Sequence, residues 1–83
     1  MAVIEGELTQ WTVPGHLARA GELVGADVLD LSGVTRADSA AVAFLLELRR
    51  RKGGPLQLSG APAQLEGLLD FFAVRPLLTN AEG

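Results

Sequence analysis

The sequence predicts a small α/β domain with a mostly parallel sheet of three or four strands and three helices. Two observations predict it. Strand-like and helical hydrophobic periods alternate in the order strand, helix, strand, helix, strand, helix. Each apolar run is short and bounded by Gly, Pro, Ser or Asp, as turn-delimited elements are. Strands separated by helices need crossover connections, which are right-handed and make the sheet largely parallel.

The first strand spans Ala2–Leu8, with Ala2, Ile4, Gly6 and Leu8 on one face. Gly6 marks a bulge or a close backbone neighbour. Thr12 is a plausible helix cap, with Pro14 tolerated in the first turn. Val13, Leu17, Ala20 and Val24 give a modest stripe along one helix. Gly15, Gly21 and Gly25 make it the weakest of the three, at about 1 kcal/mol per interior Gly. Trp11 reads as an anchor packed on the core, with an interface role as the alternative. His16 reads as a solvated or capping residue, since catalysis would need an orienting partner and a nucleophile.

Residues 28–48 organise the chain. Val28, Leu29 and Leu31 suit a short strand covered on both faces. Ser32-Gly33 should break it, and residues 35–38 should cross the carboxyl edge of the sheet. From Ser39 the period becomes helical, with Ala41, Phe44, Leu45 and Leu48 at i, i+3, i+4 and i+7. Either Asp38 or Ser39 can cap that helix. Arg49, Arg50, Arg51 and Lys52 close it and complement its dipole, and Gly53 ends it. The basic run also suits an acidic partner or an anionic membrane surface. A short strand over 56–58 follows, then a helix from about Pro62 with Leu65, Leu68, Leu69 and Phe72 inward and Phe71 to the side. Residues from 74 read as a tail (about 75–83), with Leu77 and Leu78 tucked back and 79–83 frayed.

The run D-L-S-G-V-T-R-A-D-S-A-A-V-A-F-L-L-E-L, residues 30–48, resembles the signature of STAS domains, the sulfate-transporter and anti-sigma-factor-antagonist family. It is similar in particular to the small STAS subunit of Mla-type phospholipid ABC transporters of Gram-negative bacteria. Pro62, Leu65, Leu68 and Leu69 fit the family's spacing, and Gly6-Glu7-Leu8 fits more loosely. Two departures stand out: Ala40-Ala41 replaces a glycine-bearing pair, and the family usually has a strand before the one at Ala2. The resemblance implies one STAS-like domain over residues 1–83, with the family's regulatory Ser/Thr at Ser39. It implies as partner the cytoplasmic ATPase subunit of a lipid transporter, or, alternatively, an anti-sigma system in which a kinase phosphorylates Ser39.

Bulk properties bound these readings. Eighty-three residues make one small domain, without Cys for disulfides or thiolate metal sites. No apolar run approaches the ~18 residues of a membrane span, and Met1-Ala2-Val3 does not open a signal peptide. A cytoplasmic protein without direct membrane insertion is expected, and the resemblance implies that it reaches the inner membrane only through its complex. The net charge of −3 argues against nucleic acid. No phosphate-binding G-x-x-x-x-G-K-[ST] loop is present. Asp30 and Asp38 read as a strand border and a helix cap rather than a catalytic pair. Neither a catalytic residue, a metal site nor a cofactor is expected.

The expected partner surface comprises Thr35, Arg36, Asp38, Ser39, Ala40, Ala43 and Leu46. At 100° per residue, Ser39, Ala43, Leu46 and Arg50 share a face away from the sheet side, with Val42 at its edge. Leu46 and Val42 pack either on a neighbouring helix or on a partner. If nothing precedes Ala2, the first strand has a free edge, which should allow weak self-association in the absence of the partner.

Overall fold

The computed structural model describes residues 1–79. Its sheet has three parallel strands in the order β1 (Ala2–Leu8), β2 (Leu29–Ala37), β3 (Leu58–Ser59). The helices are α1 (Val13–Leu17), α2 (Ala20–Val24), α3 (Ser39–Lys52), α4 (Ala63–Phe71) and α5 (Arg75–Thr79). The parallel α/β class is as the alternation of periods predicts.

Several boundaries differ from expectation. The helix read through residues 13–24 is two five-residue helices, broken at Arg19. Pro14, Gly15 and Gly21 leave neither half enough propensity to propagate through the junction. β2 does not break at Ser32-Gly33 but runs nine residues to Ala37. Its pairing with β1 continues to Leu8↔Ala37, through register shifts after Val3 and after Gly6. The ladder outweighs the turn preference of Ser32-Gly33, because strand propensity yields to pairing context. Gly33 fits there for a packing reason: a Cβ would meet Glu5 Cγ at 3.0 Å. Gly6, at φ +81°, takes the bulge.

The sheet is covered on one face, not two. Ala2, Ile4, Leu8, Leu29, Leu31, Val34 and Ala37 are buried, while Val3, Glu5, Glu7, Ser32, Thr35 and Arg36 are exposed. On the open face the Asp30 carboxylate accepts hydrogen bonds from Ser32 N–H and Ser32 Oγ, which hold it below its ordinary value. The covered face meets Phe44, Leu45 and Leu48 of α3, then Leu65 and Leu69 of α4, all nearly inaccessible. Val42 is buried too, so the open alternative for that residue resolves to packing.

The C-terminal third is more ordered than a tail. Phe72 is 45% exposed rather than inward, because α4 ends at Phe71 and the chain turns through Ala73 at φ +54°. The reversal forms α5, which returns Val74 and Leu78 to the core. Leu78 O accepts Leu56 N–H at 2.8 Å, tying α5 to the start of β3. Arg75 bonds both Glu66 and Asp70 across the corner. Leu77 stays half-exposed and Phe71 fully so, edge-on to Phe72 at 5.1 Å. Thr79 closes α5 by donating to Arg75 O, and the fraying expected beyond it lies outside the described residues.

Candidate functional site: the start of α3 and the cleft beside it

α3 starts where β2 ends, and Asp38 makes the junction. Its Oδ1 accepts the Ala40 N–H at 2.8 Å, an N-cap that satisfies one orphan amide of the first turn. Its Oδ2 accepts the Gln10 N–H at 3.1 Å, from the loop after β1. Asp38 therefore caps α3 and clamps the β1–α1 loop. Ser39, the first helical residue, is exposed, and its hydroxyl has no hydrogen bond among the described residues.

The other expected partner residues divide as follows. Arg36 is exposed and lines a cleft with Asp38, although it belongs to the end of β2 rather than to a turn. Thr35 is exposed but does not line that cleft. Ala40 is half-buried under the cap. Ala43 is exposed, and Leu46 is half-buried against the core, so the outward face of α3 is less apolar than its sequence suggests. Ser39, Ala43, Leu46 and Arg50 still run along one side of the helix. Among the described residues no helix is long and apolar enough to cross a membrane, and no group of three or more His, Cys, Asp or Glu is arranged for a metal.

The cleft beside this helix end measures about 300 Å3 and is lined by Glu7, Thr9, Gln10, Trp11, Arg36, Ala37, Asp38 and Gln64. A larger hollow of about 500 Å3 lies beside β3, lined by Val28, Leu56, Gln57, Leu58, Ser59 and Thr79, and no side chain there is ionisable. The charged groups and the helix terminus make the smaller cleft the candidate site.

Trp11 overturns its core-anchor expectation: it is 82% exposed. Hydrogen bonds in its own loop hold it out. Thr12 Oγ1 donates to Glu7 O at 2.7 Å and accepts the Thr9 N–H at 2.9 Å, while the Trp11 N–H reaches Thr9 Oγ1 at 3.3 Å. The sequence offered one signal, a lone Trp between Gln10 and Thr12 directly after a strand. Gln64, whose Oε1 accepts the Ala37 N–H at 2.9 Å, gave none, because only the return of α4 to the end of β2 brings it there. His16 is half-buried, donates from Nε2 to Glu7 O at 3.0 Å and tilts against Phe44, a structural role.

At the far end of α3, Glu47 binds both Arg50 and Arg51, whose hydrogen bonds pull its carboxyl down to about 2. Lys52 Nζ donates to Ala26 O. Arg50, Arg51 and Lys52 are thus engaged within the domain, which favours the dipole-complementing reading of that run.

Searches among curated proteins and among solved structures give no match. The family described as "Mlab, STAS domain" matches residues 4–79, nearly the whole described chain. The match spans the β2–α3 junction with Ser39 and the cleft beside it, and on that extent the chain belongs to the STAS domain family.

Proposed function

We propose that this domain is a non-catalytic STAS subunit that binds, and so stabilises or regulates, the ATPase subunit of a phospholipid-transporting ABC complex. It would be cytoplasmic, held at the inner membrane through that complex. The single observation that supports this reading most is the division of roles at α3. Asp38 caps the helix alone, leaving Ser39 exposed with no structural task. Around it, Thr35, Arg36, Asp38 and Ala40 surround the helix start, Ala43 permits close approach, and Leu46 adds partly accessible apolar area. The family description, "Mlab, STAS domain", is in keeping with the transporter reading. The exposed serine hydroxyl at a helix N-terminus favours one alternative, an anti-sigma factor antagonist switched by phosphorylation at Ser39.

The test uses Ser39→Glu, Ser39→Ala and Leu46→Glu against the purified ATPase subunit. A negative group at Ser39 gains about 0.3–1 kcal/mol from the helix terminus and loses a comparable amount to Asp38 beside it. Ser39→Glu therefore folds normally, yet it places an unpaired charge in a desolvating interface and should bind at least tenfold more weakly. Ser39→Ala should keep most of the affinity. Leu46→Glu should lose binding with a smaller loss of stability than Leu45→Glu, which buries a charge in the core. Wild-type affinity for Ser39→Glu removes Ser39 from the interface.

A further inference from the structure

We propose that the cleft beside Trp11 receives a cationic side chain, an arginine, from the docked protein partner, held between the indole face and the Glu7 carboxylate. The inference rests on reading the Ser39 surface as a protein interface, and it names the chemistry that the partner brings there.

Three observations carry it. Trp11 is 82% exposed on a loop fixed by its own threonines and by the Asp38–Gln10 bond, so its ring is offered to solvent by a rigid support. Exposed, pre-organised tryptophans are the side chains that dominate protein interfaces. Glu7 faces Arg36 across the β1–β2 ladder, yet among the described residues neither forms an ion pair. The Glu7 carboxylate is thus an uncommitted acceptor in the same cleft as the indole. Asp38, with both oxygens engaged by backbone amides, adds negative potential without competing for the ligand. Two carboxylates, Glu7 and Asp38, against the one guanidinium of Arg36 leave the cleft with a net charge of −1. An aromatic face beside a carboxylate is the pairing that holds guanidinium, through cation–π attraction and a charge-assisted hydrogen bond.

A lipid surface is the poorer occupant. Apart from Trp11 and Ala37 the lining is polar or charged, and the chain's net charge of −3 opposes an anionic bilayer.

Trp11 is the only tryptophan, so its fluorescence reports the cleft directly. Acetyl-arginine amide should perturb its emission saturably, and the neutral citrulline counterpart, of nearly the same shape, should not. Glu7→Gln should abolish the response, and Arg36→Gln, which removes the competing cation, should strengthen it. Equal responses to both probes, or an undiminished response in Glu7→Gln, overturn the proposal. So does a blue shift of Trp11 on phosphatidylglycerol vesicles, which would assign the residue to a membrane. With the purified ATPase subunit, Trp11→Ala and Glu7→Gln should each weaken binding about tenfold or more. Full affinity in both variants overturns the cleft assignment while the transporter reading stands. A wild-type domain that does not bind the ATPase subunit removes the transporter reading, and the two amide probes then decide the cleft by themselves.

Discussion

Replacing Asp38 tests the joint between fold and site. Its carboxylate makes two bonds of different kinds, to Ala40 N–H inside α3 and to Gln10 N–H in the loop that carries Trp11. Loss of an N-cap costs about 1 kcal/mol. Loss of the loop bond adds about another 1 kcal/mol, at the low end for a charged acceptor because the group is half-exposed. Asp38→Ala should therefore lose about 2 kcal/mol, a fall of about 8–16 °C in a domain of this size. Asp38→Asn separates the two roles. Asparagine caps as well as aspartate, but its amide nitrogen cannot accept from Gln10, so only about half the loss is expected. Thermal melts and urea titrations give the order wild type, Asn, Ala. Amide exchange should speed at Gln10 in both variants, and at Ala40 only in Asp38→Ala. An Ala variant melting within a degree or two of wild type, or an Asn variant as weak as Ala, would refute the two-bond account.

Ala73 holds φ +54°, a conformation that costs a residue with a Cβ about 1–2 kcal/mol. Ala73→Gly should raise the urea midpoint, netting up to about 1 kcal/mol once the entropy of a new glycine is subtracted; a lower midpoint would show that the turn is not strained. Glu47, held at about 2 against an ordinary 4.5, favours folding when ionised. Its contribution is present above about pH 4.5 and lost as pH falls toward 2. Glu47→Gln should flatten that segment of the stability–pH curve, most visibly at low salt, and an unchanged acid limb would remove the assignment. β1 is an edge strand, but Val3 O accepts from Arg19, and Glu7 O accepts from Thr12 and His16. We expect at most weak pairing through this edge, increased by Arg19→Ala. Sedimentation that shows both proteins monomeric at high concentration would exclude it.

The sequence by itself determined the class of fold, the identity of α3 and the place of its two ends. Those features are local. A four-residue inward stripe, a cap, a glycine stop and a short apolar strand each follow from neighbours within a few positions, and Ala41, Phe44, Leu45, Leu48 and Gly53 sit where their spacing puts them. Tertiary structure decided the rest. The length of β2 came from its ladder with β1, which carried Ser32-Gly33 through as strand. The open face of the sheet followed from all the crossovers packing on one side, which no single strand's composition records. Phe72 turned outward and the tail became α5 because the chain reversed at Ala73 and found room against Leu56. The cleft is the clearest case. Glu7 with Trp11, Asp38, and Gln64 come from three separate segments, and no neighbour in sequence of one predicts the other two. Trp11 reads as core because burying an indole gains more than leaving it in water, but the threonine bonds of its loop and the clamp from Asp38 fix it outside, and a bond across 28 positions is invisible to any local pattern.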